Sequence, residues 1–151
     1  MPAGTGNTAP VFAATAAATG VAVTAANTSS QGGGTIGTDI FLAYTAGADG
    51  GYVSKVRFMP TASVAATATT ATVGRVFVSS VASGATTSTN THLIAEIPLA
   101  SQTAASTTTP VNPVDVPLNI AIPGGATILV TNHAAPAATT AWKATAFAGS
   151  F

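Results

Sequence analysis

The bulky apolar side chains of this chain come in short runs, and where a run is long enough to show a period, the period is two. In "VDVPLNIAI", Val114, Val116, Leu118, Ile120 and Ile122 alternate with Asp115, Pro117, Asn119 and Ala121. That alternation sends one row of side chains to each face of a strand, one row buried and one wet. A turn follows: Pro123 presets φ for the first corner of a type II turn, and Gly124 supplies the positive φ of the second. Ala126 to Thr131 is then expected to run back as the partner strand of a hairpin.

The same reading extends along the chain. "TDIFLAYTA" reads as a strand ending at "AGADGG", where Asp49 and Gly50 signal a reversal. "YVSKVRFMP" follows, with Val56 and Phe58 facing one way and Lys55 and Arg57 the other, and is expected to stop at Pro60. "TVGRVFVSS" is the next strand, the loop "VASGATTSTNT" leads to "HLIAEIPLA", and "SQTAASTTTPVNP" is a second loop. The closing "TTAWKATAFAG" sets Trp142, Ala144 and Ala146 against Lys143, Thr145 and Phe147. Pro113 and Pro117 place their strand at a sheet edge or on a bulge, because proline cannot donate to a ladder. The tracts "VAATATTAT" and "TAAATG" carry alanine's helix propensity, lowered by interspersed Thr and Gly. Seven or eight short strands without an amphipathic helix predict an all-β chain, an antiparallel β-sandwich of jelly-roll kind with an extended N-terminal arm.

Residues 1–37 are the expected arm, rich in Ala, Thr, Gly and Ser, and 38–151 the expected sandwich domain. Small side chains bury too little surface to offset the entropy of ordering, so the arm is expected to be held by partner contacts. "GVAVTAA" at Gly20 to Ala26 can supply one strand, at an edge or exchanged between subunits. Val11 and Phe12, the first bulky residues of the arm, are candidate anchors for a partner. "APVFAATAAATGVAVTAA", Ala9 to Ala26, is read as neither signal peptide nor membrane span: no Lys or Arg precedes it, and Thr15, Thr19, Gly20 and Thr24 suit a spanning helix poorly. A chain assembled in the cytoplasm is expected.

Charge narrows the function classes. Only 5% of the 151 residues are charged, against about 25% in an ordinary soluble domain. Lys55, Arg57, Arg75 and Lys143 are the whole cation inventory, too few for a stripe that neutralises phosphates or a patch for an anionic membrane. A net charge of zero gives weak colloidal repulsion and favours a protein bound to copies of itself or to a large partner. Much of the 47% apolar fraction is alanine, so one modest core is expected. With no cysteine, disulfides and thiolate metal sites are excluded.

Little in the chain suggests reaction chemistry. His92 and His133 stand at strand ends without a nucleophile-elbow pattern and read as surface residues. Asp39, Asp49, Glu96 and Asp115 read as turn or wet-face carboxylates rather than a glycosidase pair. No HxH, HExxH or calcium-loop spacing occurs, and "GGG" at Gly32 to Gly34 lacks the lysine and helix of a phosphate loop. No catalytic residue, cofactor, metal or small-molecule substrate is expected. "NTS" at Asn27 is read as a chance sequon. Arg57 and Arg75, mid-strand among apolar residues, are candidates for an inter-subunit or host-surface salt bridge, or else ordinary pairs with Asp39, Glu96 or Asp115.

The strands and turns from about residue 40 to 151 resemble small virion proteins of tailed bacteriophages. The pattern runs through Gly47, Gly51, Val56 and Arg57, then Arg75 and Phe77, then Leu93 and Glu96. It continues through Leu118, Pro123, Gly125 and Val130, and closes on Trp142, Ala146 and Gly149. The resemblance implies a β-sandwich decoration or cement protein of the capsid surface. Such a protein is non-enzymatic, self-associates as a dimer or trimer, binds the major capsid protein and stabilises the head. A tail, neck or fibre component is the alternative within structural proteins. A carbohydrate-binding host-attachment module is the alternative from another class, with Tyr44, Tyr52 and Trp142 as its available platforms.

Overall fold

The strand that alternates most clearly, Val114–Ile122, and the one that follows it, Thr127–Asn132, lie in different sheets. The structure, a computed structural model, describes residues 14–62, 68–103 and 110–151. In chain order the strands are β1 (Thr15–Val23), β2 (Gly34–Thr35), β3 (Phe41–Thr45), β4 (Gly51–Ala62) and β5 (Thr72–Ser79). The others are β6 (Ala85–Thr86), β7 (Thr91–Leu99), β8 (Val114–Ile122), β9 (Thr127–Asn132) and β10 (Thr140–Ser150). No helix occurs among the described residues.

One four-stranded sheet has the order β1-β10-β4-β8, a second has β3-β9-β5-β7, and β2 pairs with β6 alone. Every ladder is antiparallel. Leaving out the two-residue strands, the pairing is nested: β1 with β10, β3 with β9, β4 with β8 and β5 with β7. Inward side chains of both sheets form one hydrophobic cluster. Val23, Val53, Val56, Phe58, Val116, Trp142, Ala144 and Ala146 come from the first sheet, and Phe41, Val76, Leu99, Ile128 and Val130 from the second.

The expected hairpin is therefore a crossing between sheets, and its turn sits one residue later than predicted. The Ala126 amide donates to the Pro123 carbonyl at 3.1 Å, and the positive φ, 74°, belongs to Gly125 rather than Gly124. Gly124 serves a different need. A Cβ there would fall on the backbone carbonyl of Ala48, because this turn docks against the reversal at 47–50, where the Gly125 amide also donates to Gly47 at 3.1 Å.

Further corrections have local causes. β4 runs past Pro60 to Ala62; its ladder with β8 ends at Phe58 opposite Val114, and a strand paired on one side tolerates proline. β8 is a sheet edge, and its register slips between Val53 and Lys55 of β4, beside Pro117 and the positive-φ Asn119, as its prolines imply.

The division expected at 37/38 falls inside the fold. β1 is an edge strand, nine residues long, whose Val23 is fully buried. The connection from β1 to β3 crosses the outer side of the second sheet, where Ile40 packs with Phe77 and Leu129 in a smaller cluster. β9 is covered on both faces and buried along its whole length. The connection is held by polar groups. The Asn27 amide donates to the Asn132 carbonyl at 2.7 Å. The Asn27 side-chain nitrogen reaches Asp39 and the Gly33 carbonyl, each at 3.0 Å, and Asp39 accepts from the Thr35 amide at 2.6 Å. Since Asn27 is 5% exposed and its amide is engaged, the sequon is closed to modification in the fold.

Candidate functional site

The first sheet keeps an open outer face, and half of the chain's scarce charge, Lys55, Arg57, Asp115 and Lys143, is gathered there. Alternation on β4 and β10 points Lys55, Arg57 and Phe147 away from the core residues Val56, Phe58 and Ala146. Antiparallel pairing sets Arg57 opposite Asp115 and Lys55 opposite Phe147. Arg57 grips Asp115 through two nitrogens, at 2.6 and 2.9 Å, and Lys55 reaches the same carboxylate at 2.8 Å. Both cations also lie over the Phe147 ring, 5.1 and 5.6 Å from its centre, within cation–π range. Lys143, exposed on the same side of β10, gives this face three cations against one acid.

The hydrogen bond from Arg57, followed by that from Lys55, holds the Asp115 carboxyl well below its ordinary value, and the Arg57 guanidinium is raised by the hydrogen bond to Asp115. A carboxylate depressed by folding contributes stability above its unfolded value, 3.8, and loses it as pH falls below that. The urea midpoint is therefore expected to drop as pH is lowered below about 4, and to drop less in Asp115→Asn. The three side chains are about one-third exposed, so solvent screening keeps the effect small.

Arg75 is placed differently. It lies beneath the β1–β3 connection, 6% exposed, and its donors are used within the chain. It reaches Glu96 at 2.5 Å, the Asn27 carbonyl at 3.1 Å and His133 Nδ1 at 3.0 Å. Because a guanidinium can only donate, that ring nitrogen is the acceptor and the imidazole proton sits on Nε2. Glu96→Ala would leave the guanidinium buried without its carboxylate. The expected loss is about 2 kcal/mol by urea denaturation, below the range for fully buried pairs because Glu96 is itself half-exposed.

The two arginines thus take the intrachain partners Asp115 and Glu96, and only Arg57 remains on an open face. Val11 and Phe12 lie outside the described residues. Of the three aromatic platforms, Trp142 and Tyr44 are core residues, with the Trp142 indole donating to the Thr70 carbonyl at 3.3 Å and Tyr44 sharing a hydrogen bond with Ser150 at 2.9 Å. Tyr52 is 40% exposed and donates to Asn119 at 3.1 Å. It borders a shallow groove with Ala16, Ala18, Ser54 and Phe147. The stacking of Phe147 under two cations was not read from sequence; the signal is the aromatic on the wet face of β10, but its neighbours depend on the strand order.

His92 is exposed at the start of β7, and His133 is bound to Arg75. Among the described residues no three His, Asp or Glu side chains gather as a metal-binding group. Against protein-family models, curated proteins and solved structures, the chain gives no match.

Proposed function

We propose that this chain is a non-enzymatic structural protein of a tailed-phage particle. In this reading it is a jelly-roll decoration protein that assembles in the host cytoplasm, binds the major capsid protein on the outer surface of the head and braces the shell. The observation that carries the reading is the nested strand order. Numbered without β2 and β6, the other eight strands form sheets 1-8-3-6 and 2-7-4-5, an order that supports a jelly roll of two Greek keys, a fold widely used in viral shells. The strand-and-turn pattern read from sequence over residues 40–151, which resembles that of small virion proteins, is the ground for choosing a virion. A surface rich in Thr and Ala and poor in charge adds support, since it offers hydrogen-bonding groups and little repulsion to close-packed symmetric contacts.

The second reading, a glycan-binding attachment module, has the exposed Tyr52 beside the Phe147 groove in its favour. The burial of Trp142 and Tyr44 removes two of its three platforms. The test is to mix purified full chain with phage heads assembled without it, and to follow co-sedimentation and the heads' resistance to heating. Saturable binding with raised resistance is expected. Binding to isolated tails or to host glycans, with none to heads, would move the assignment to the alternatives.

A further inference from the structure

The two four-stranded sheets have four edges, and three are guarded. β8 carries Pro117, Asp115 and a register slip. β7 carries Pro98 and Glu96, with a slip opposite Val76 and Phe77. β3 is five residues long and slips between Leu42 and Tyr44. Charges, prolines, bulges and shortness are the devices by which natural sheets keep their edges from pairing. β1 has none of them. Its nine residues, "TAAATGVAV", contain no proline and no charge, and their register with β10 is unbroken from Thr15 opposite Ser150 to Val23 opposite Trp142. Its side chains are mostly exposed, and across the gap to the second sheet it is met by side-chain bonding, Thr19 to the Ala43 carbonyl, rather than by a ladder.

Among the described residues no strand pairs with the outer edge of β1, and we infer that this edge is the seat of a second copy of this chain, paired antiparallel across a two-fold axis at Thr19 so that the first sheet continues into its mate. The strand is its own complement about that residue. Ala18 meets the partner's Gly20, Ala17 its Val21, Ala16 its Ala22, and Thr15 its Val23. Every opposed pair is uncharged, so no like charges oppose one another. On the open face Ala16, Ala18, Gly20 and Ala22 present almost no bulk of their own, and the Lys143 stem lies over Gly20. An isologous contact of this kind closes at two chains. The inference deepens the self-association that the resemblance to virion proteins implies by choosing a dimer and its surface. It stands on the strand edge alone, so failure of the chain to bind heads leaves it intact.

Sedimentation velocity of the full chain is expected to show a dimer that dissociates on dilution. Ala16→Glu/Ala22→Glu puts like charges opposite one another across the axis, on exposed positions and with Lys143 beside residue 22. It is expected to raise the dissociation constant at least tenfold. Mixing it with Ala16→Lys/Ala22→Lys is expected to restore a heterodimer. Ala121→Glu, exposed on the guarded edge strand β8, is expected to change nothing. On the unaltered chain, amide hydrogen exchange in Thr15–Val23 is expected to accelerate on dilution while β4 and β10 stay protected. A chain that remains monomeric when concentrated would overturn the inference. So would a dimer that ignores the paired charges, or β1 exchange independent of concentration.

Discussion

Trp142→Ala is expected to remove about 3–5 kcal/mol of stability, the range for deleting a fully buried large aromatic. For a domain of this size that corresponds to a fall in Tm of roughly 10 °C. The indole is fully buried, on a strand whose next inward residues are Ala144 and Ala146. Neighbours that small supply little material to refill the space, so the cavity is expected to persist. Trp142→Phe keeps most of the volume and loses the hydrogen bond to Thr70; about 1–2 kcal/mol is expected. Thermal and urea denaturation of the two variants check both values. Near-neutral Trp142→Ala would show that the two sheets do not close over this side chain.

Gly124→Ala is expected to cost about 3 kcal/mol or more, beyond ordinary overpacking, because the obstacle is the Ala48 backbone carbonyl and not a side chain that can turn away. Gly125→Ala separates clash from conformation. A Cβ at Gly125 meets nothing within 4 Å, so its cost is only that of a left-handed alanine, roughly 1–2 kcal/mol. If Gly125 proved the more sensitive of the two, the 123–126 turn would not be seated on the 47–50 reversal. Against a total stability of about 5–15 kcal/mol, a loss of about 3 kcal/mol is roughly one-fifth to three-fifths of the whole.

These two sites also show what the sequence reveals and where it stops. The faces of β10 were readable because tryptophan and alanine alternate with lysine, threonine and phenylalanine, and burial follows that period. The turn after β8 was readable as a turn, but not its frame. Two adjacent glycines fit a type II turn in two ways, and the choice is made by a carbonyl more than seventy residues away. Nor could local signals distinguish a hairpin from a crossing between sheets, since both need the same corner. The strand partner is set by which faces must be buried, and β9, covered on both sides, shows no alternation to betray it.

The N-terminal third illustrates a different limit. Its composition suggests flexibility because alanine, threonine and glycine bury little surface. The β1–β3 connection is fastened instead by Asn27, Asp39 and Arg75, single polar residues whose partners lie at Asn132, Thr35, Glu96 and His133. The candidate pairs of Arg57 and Arg75 could be named from sequence, because only four acids are available. Which acid faces which arginine is decided by the nested order of the strands, and so is the meeting of Lys55, Arg57 and Phe147 on one open face.

The most direct test of the central claim is a cryo-electron microscopy reconstruction of phage heads assembled without this chain, then saturated with it. Regular added density on the outer shell, into which two four-stranded sheets fit, is expected. Heads that stay bare, with density instead on tails or none on the particle, would contradict the claim.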